Sequence, residues 1–345
     1  MDSAADSASE PQKPAGPHER SVGIDLVRIL GIFAIVLGHV SISPWIAKAT
    51  YSWHVPVFFF LTGVLWKPGR TLAQETQRRF VSIVRPYLAW LLVISVIALP
   101  RAALSGGFLH FLQRLATILL GGQDLGTPYT AFWFFSCLFF ASLLWRLGES
   151  LRVPWWSMVA VALPLTLAGP YLATVPLSAG TAVPATIFIA AGRGYQLAPA
   201  SLKRWPVGLV ALMVGGAVVI AGLTPPLDLK SGHFGTPLVG VLVACLISAG
   251  LVSCAIPIGA RVNRLGRRAV SAISTRGAAV ILAHGLPLTV MYGRASTAAV
   301  LVAVLAATAI LVGIAGITPW RSALLGLPPN PRRNEEPHRS LKPPE

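Results

Sequence analysis

Apolar residues run along this chain in blocks of about 20, and polar residues gather in the short joints between the blocks. Blocks lie near residues 22–40, 52–66, 82–100, 131–147, 155–173, 181–197, 206–223, 237–258, 277–292 and 297–317. Each is near the length that crosses a hydrocarbon core, so the pattern predicts an all-α, polytopic integral membrane protein with about ten transmembrane helices. Transmembrane barrels are excluded, because their strands are short and alternate. Residues 101–130 break the pattern: Phe108 to Leu120 is apolar but short, and His110, Gln113 and Arg114 interrupt it. We expect a re-entrant or surface helix there.

Outside the blocks, residues 1–20 and 321–345 are rich in Pro, Ser and charge and cannot bury enough apolar surface to fold alone. Both are expected to be disordered tails flanking a membrane domain at 21–320. The N-terminus has no basic stretch followed by a small-residue cleavage site, so the first block is expected to stay as an anchor.

Composition narrows the function. Of 345 residues, 54% are hydrophobic and 12% charged, with a mean hydropathy of +0.68. Soluble domains carry about 25% charged residues, so a soluble enzyme is excluded. Lys and Arg number 28 against 12 Asp and Glu, a net charge of +16. The cations sit at block ends, as in Lys67, Arg70, Arg78, Arg79 and Arg85 or Arg261, Arg264, Arg267 and Arg268, where they set orientation and meet lipid phosphates rather than nucleic acid. Placing the basic joints on one side makes both termini cytoplasmic in a multi-pass cell-membrane protein. Cys137, Cys245 and Cys254 all lie inside apolar blocks, so neither a disulfide framework nor a metal site follows.

Candidate chemistry is sparse. Between the tails the only carboxylates are Asp25, Glu75, Asp124, Glu149 and Asp228. Asp25 and Arg28 fall in the first block, three residues apart, on one helical face where they neutralise each other. A snorkelling pair near the membrane boundary is the plainer reading. His39 follows Arg28 by eleven residues, close to three turns, so Asp25, Arg28 and His39 share a stripe with Arg28 and His39 about 16 Å apart along the axis. A charged face through a membrane helix must look into a polar cavity, and Gly38 permits close approach beside it. His54 opens the second block, beside Trp53 and ahead of Pro56. The joint from Ser41 to Ser52 is short, so His39 and His54 are expected at the same membrane face. Two groups that titrate near neutrality at one cavity suit proton transfer to a hydroxyl, although an interfacial His54 beside Trp53 is the simpler alternative.

These residues carry a resemblance. Asp25-x-x-Arg28 followed by Gly38-His39, then His-x-Pro-x-Phe-Phe-Phe-x-x-Gly from His54 to Gly63, resembles membrane acyltransferase family 3, and more narrowly the fucose 4-O-acetylase-like sugar O-acetyltransferases. RRFVSIVRPYLAW at 78–90 and FWFFSCLFF at 132–140 are similar to the family's third and Trp-Phe spans. Leu265-Gly266-Arg267 and His284 resemble its late histidine-bearing span. Gly277 and Ile281 stand where relatives commonly have Ser and Tyr, which leaves His284 open between a buried hydrogen-bonded side chain and a cavity residue.

The resemblance implies an O-acetyltransferase that moves an acyl group from acyl-CoA, usually acetyl-CoA, to a hydroxyl of a cell-envelope glycan or glycolipid. His39 is then the candidate base, with Asp25, Arg28 and His54 completing the catalytic set, and whether an acyl-histidine forms is left open. Arg28 and Arg85 are the candidate cofactor-binding cations for the CoA phosphates. Loop 121–133 offers Asp124, Tyr129 and Trp133 as candidate acceptor-binding residues. Asp228 and His233 are weaker candidates. No P-loop, G-x-S-x-G or H-E-x-x-H occurs. A second class stays open: a carrier or exporter that uses Asp25, Arg28 and His39 as a proton relay.

Overall fold

The computed structural model describes residues 21–41 and 43–328, and among these the regular structure is helical, with one isolated antiparallel bridge between Asp228 and His233. The expected tail at 1–20 and most of that at 321–345 lie outside the described residues.

Helix α1 (Val22–Val40) starts at Ser21, whose hydroxyl accepts from the Ile24 N–H. Gly23 on α1 approaches the backbone of Ala255 so closely that a Cβ would fall 2.6 Å from its carbonyl oxygen. After α1 come the short α2 (Pro44–Tyr51) and α3 (Pro56–Val64), each with proline in the first turn, where a missing N–H costs nothing. Thr71 and Gln74 form a reciprocal capping box that opens α4 (Leu72–Arg79). A π-helical turn at Phe80–Val84 then leads into α5 (Arg85–Leu120).

Helix α5 contains the segment expected to be a re-entrant or surface helix. It breaks at Gly107, whose φ of 73° and ψ of −170° are non-helical, and Phe108 to Leu120 resumes as a helix with Phe108 and Leu109 largely exposed. The chain continues through α6 (Phe132–Ser150), α7 (Trp155–Leu165), α8 (Gly169–Ala173), α9 (Ala179–Leu197), α10 (Trp205–Ile220) and α11 (Val239–Arg261). Last come α12 (Arg264–Thr275), α13 (Gly277–Ala283), α14 (Gly285–Met291), α15 (Thr297–Ile317) and α16 (Arg321–Leu324).

Helices occupy all ten apolar blocks, but among the described residues five are long and apolar enough to cross a membrane: α1, the run Leu72–Leu120, α6, α11 and α15. A sixth is reached if α12 and the α13–α14 segment, bent by 44°, count as one span. Elsewhere the blocks hold shorter or broken helices, as at α3, α7–α8 and α10, and their breaks need cover by protein rather than lipid. α3 shows how: a Cβ on Gly63 would lie 2.1 Å from the Ile189 carbonyl oxygen, and one on Gly192 would lie 1.9 Å from that of Phe60. α3 and α9 therefore pack backbone to backbone through small residues.

Residues 321–328 of the expected tail are described, and α16 opens them. Leu324 and Leu325 are buried, and the Trp90 indole N–H donates to the Leu324 carbonyl at 2.9 Å. The apolar Leu-Leu pair supplies enough burial to dock α16 before the proline-rich sequence takes over.

The core is dominated by aromatic side chains from α6. Trp133, Phe134 and Phe135 are buried, and Phe134 meets Phe58, Phe59 and Phe135 at ring-centroid distances of 5.4, 5.9 and 5.2 Å. Offset and edge-on aromatic packing of this kind makes a rigid centre on which the polar groups are mounted.

Candidate active site

Position along α1 dictates what faces the interior. Asp25, Arg28, Ile32, Ile35 and His39 recur at three- and four-residue intervals and so form one face. Arg28 and Ile32 line a cavity of about 290 Å³ near the basic end of the bundle. Ile35 and His39 line a smaller chamber of about 70 Å³ at the other end. Phe134 and Ile281 border both, so the two spaces are separated by a thin apolar wall.

At the basic end, Asp25 is 1% exposed and accepts from Arg28 Nη1 at 3.0 Å and from Ser274 Oγ at 2.8 Å. The expected Asp25–Arg28 pair is thus made, and Ser274 ties it to α12. Arg78 and Arg79 join Arg28 on the wall of the larger cavity. Buried Glu75 holds them: its carboxylate lies 2.7 Å from Arg79 Nε, 3.2 Å from Arg70 Nη1 and 3.6 Å from Arg78 Nη1. Arg146 continues the network to Glu149 at 2.7 Å and stacks over Trp66, with 4.3 Å to the ring centroid. Beside this cavity, a basin of about 540 Å³ is bordered by Asp25, Arg264, Arg267, Arg268 and Arg276, and it shares Thr275 and Leu325 with the cavity.

Arg85 is placed elsewhere. Its Nη2 donates to the carbonyls of Ser322 and Leu327, and it does not line the cavity. Its pairing with Ser322 and Leu327 was invisible locally because the partner carbonyls lie more than 230 positions away.

At the other end, three imidazoles converge. His39 Nδ1 lies 3.2 Å from His284 Nε2. His284 is fully buried at the break between α13 and α14, and its Nδ1 lies 2.7 Å from the Ile281 carbonyl oxygen. A carbonyl only accepts, so the proton on His284 is assigned to Nδ1 and its neutral ring offers a lone pair at Nε2. That lone pair takes the Nδ1–H of His39, which leaves His39 Nε2 as a proton acceptor. His54 has the same arrangement, with Nδ1 2.8 Å from the Thr50 carbonyl oxygen and Nε2 as the basic nitrogen.

Local packing explains how His39 and His54 share the chamber, as their spacing predicted. The Tyr51 ring lies on Gly38, where a Cβ would fall 2.9 Å from Tyr51 Cε2. The Tyr51 hydroxyl donates to the Gly38 carbonyl at 3.4 Å, and its ring meets His54 edge-on at 4.7 Å. Glycine at 38 therefore brings α2 against the end of α1 and sets both histidines together.

The loop between α10 and α11 closes the chamber. Leu227 and Leu229 are buried in the core, and Asp228 and Lys230 also line the space. Lys230 Nζ donates to the Leu125 carbonyl at 2.5 Å. Burial pushes the Lys230 ammonium down from its usual range, while Asp228 and Asp124 pull it up. A second opening of about 410 Å³ reaches His39 past Thr127, Thr130, Leu288, Thr289 and Tyr292.

Of the acceptor candidates in loop 121–133, only Trp133 faces the chamber. Tyr129 is buried in the aromatic core, with its hydroxyl 2.9 Å from Ser95 Oγ, and Asp124 is exposed at the loop surface. Asp228, a weaker candidate, lines the chamber and His233 does not, whereas Tyr51, Lys230 and Thr130 were missed, and only the late Leu-Gly and His pattern had pointed to His284. Among the described residues no group of three His, Cys, Asp or Glu side chains is placed to hold a metal ion.

Two basic nitrogens line one chamber, and an arginine-lined cavity lies across the Phe134–Ile281 wall. The acyltransferase domain model matches residues 21–322. The chain belongs to acyltransferase family 3. No curated protein and no solved structure matches it. Within this family assignment the protein is a membrane acyltransferase, and its helices are those of a membrane protein.

Proposed function

We propose that this acyltransferase moves an acyl group, acetyl in the simplest case, from acyl-CoA to a hydroxyl of a cell-surface or lipid-linked carbohydrate. The observation that carries the reading is the arrangement on one face of α1: Arg28 in a cationic cavity at one end, and His39 Nε2 free to accept a proton at the other. The donor phosphates bind Arg28, Arg78 and Arg79, with the basin around Arg264 and Arg268 taking further negative charge. By the positive-inside rule this basic end is cytoplasmic, as are both termini. The pantetheine arm spans the about 16 Å from Arg28 to His39 along the helix and passes the wall at Phe134 and Ile281. The thioester carbonyl then reaches the histidine chamber.

The acceptor arrives from the opposite side past Thr130 and Tyr292. Thr130 Oγ1 is buried without a hydrogen-bond partner and borders the opening to His39, so it is suited to a sugar hydroxyl. His39 Nε2 takes the acceptor proton as the oxygen attacks the thioester. His54 Nε2 is the second base in the same chamber.

The test is acyl transfer by purified protein in lipid nanodiscs, supplied with radiolabelled acetyl-CoA and a panel of saccharide and glycolipid acceptors. Release of CoA with label appearing in the acceptor is expected. His39→Ala should lower turnover by about 10² to 10⁴ with the protein still folded. A protein that moves protons or glycans and never consumes a thioester is a carrier, and that result sinks the proposal.

A further inference from the structure

We propose that Lys230 is the oxyanion-holding group of the transfer reaction, its ammonium receiving the negative charge that develops on the thioester carbonyl oxygen. The inference rests on the acyl-transfer reading above and assigns it a residue. Attack on a thioester has two electrostatic demands. A base must take the hydroxyl proton, and a cation or N–H donor must meet the oxygen that becomes anionic. The histidines answer the first. In the tautomers set by Ile281, His284 and Thr50 they present lone pairs, so they answer the second poorly.

Among the residues lining the chamber, Lys230 is the one Lys or Arg. It is fixed rather than loose. Leu227, Leu229 and Phe234 are buried on either side of it, Phe234 stacks on Phe188 at 6.2 Å, and the Asp228–His233 bridge closes the turn with a 2.8 Å hydrogen bond. Gly232 permits this, with φ 77° and a contact to the Gly169 carbonyl that a Cβ would close to 2.0 Å. One ammonium N–H is committed to Leu125, and two more donors stay on the nitrogen. Burial lowers the Lys230 ammonium from its usual range, and the carboxylates of Asp228 and Asp124 oppose that lowering. A preorganised cation in a small enclosed space is worth far more than one in water.

The step balances. The acceptor O–H bond breaks and its proton goes to His39 Nε2 as the oxygen bonds to the thioester carbon. The carbonyl π pair moves to oxygen, opposite Lys230. The carbonyl then reforms, the C–S bond breaks, and the CoA sulfur takes the proton from His39.

The test compares wild type with Lys230→Met, Lys230→Arg and Lys230→Ala in nanodiscs, using acetyl-CoA and the best acceptor found for the wild type. For Lys230→Met we expect kcat to fall by about 10² to 10³, with KM for acetyl-CoA within about twofold. Lys230→Arg should keep more activity than Met, and added methylammonium should raise the rate of Lys230→Ala. An unchanged kcat in the Met variant overturns the assignment, as does a loss seen wholly as a raised acceptor KM. Equal losses in all three variants, with lowered melting temperature and no rescue by methylammonium, make Lys230 a strut for Leu125 and also overturn it. A wild type that transfers nothing removes the acyl-transfer reading itself, a result distinct from any of these.

Discussion

His284 Nε2 stands 3.2 Å from His39 Nδ1, within reach of a single shared N–H. Because Ile281 fixes the His284 tautomer, this contact decides which nitrogen of His39 is basic. His284 does not line the chamber and so acts through His39 as a positioning residue. His284→Leu should lower kcat by about 10², the scale on which a misprotonated base is felt, with KM for acyl-CoA nearly unchanged. His284→Gln, whose amide oxygen accepts from His39 Nδ1–H, should recover part of the loss. A Leu variant as active as wild type would show that His39 keeps its tautomer unaided.

The two arginine sets should separate in kinetics. Arg78 borders the cavity with Arg28, whereas Arg85 bonds the carbonyls of Ser322 and Leu327. Arg28→Gln and Arg78→Gln are expected to raise KM for acyl-CoA several-fold, each having lost a charge-assisted contact of about 1.5 to 3 kcal/mol before solvent and neighbouring cations compensate. Arg85→Gln should leave that KM alone and lower thermal stability, since it releases α16 and Leu327 from α5. Calorimetry of acyl-CoA binding beside thermal melts checks both. A weakened donor affinity in Arg85→Gln alone reverses the assignment.

What could be read from the residues, and what could not, follows the range of the interactions. Asp25, Arg28 and His39 were legible because helical periodicity alone puts them on one face. His54 came within reach because only a short joint separates it from His39. Lys230 is 191 positions from His39 in sequence, and nothing local marks it, since its role depends on α10 and α11 returning the loop over the chamber. Tyr129 read as a sugar-stacking ring because composition cannot tell a loop ring that faces solvent from one that packs on Phe132, as this one does at 5.6 Å. Among the described residues five or six spans are found where about ten blocks were counted, for a related reason. Hydropathy finds apolar blocks whether lipid or protein covers them, and α3 is covered by α9.

Glu75 should be the most costly carboxylate to neutralise. It is fully buried, four arginines lie within 4 Å, and two of them, Arg78 and Arg79, border the cavity that Arg28 lines. Glu75→Gln removes the carboxylate from Arg70, Arg78 and Arg79, while Arg146 keeps Glu149, and breaking a buried ionic network of this sort costs about 3 to 5 kcal/mol. The variant is expected to melt well below wild type and to bind acyl-CoA more weakly as its arginines move apart. Screening by high salt should not mimic the effect, because a buried pair is poorly screened. A Glu75→Gln protein with wild-type melting would mean the arginines are neutralised by something other than this carboxylate.

The contact between α3 and α9 supports the chamber from a distance, and its dependence on glycine makes a sharp test. Gly63 and Gly192 face each other so closely that a methyl on either would lie 2.1 Å from the Ile189 carbonyl oxygen or 1.9 Å from that of Phe60. Those atoms are backbone and cannot swing aside, so the helices must separate to admit even alanine. α3 follows the turn that holds His54, so its displacement carries that ring away from His39. Gly63→Ala and Gly192→Ala should each cost about 1 to 3 kcal/mol through overpacking and lower acyl transfer together with stability. Gly216→Ala on α10 is the control: nothing lies within 4 Å of its Cβ position, and replacing a helical glycine by alanine there is expected to be neutral or to stabilise by up to about 1 kcal/mol. Melting temperatures and initial rates of the three purified variants decide the matter. Equal behaviour of Gly63→Ala and Gly216→Ala would show that α3 is free to move relative to α9, and the rigid placement of His54 would then need another source.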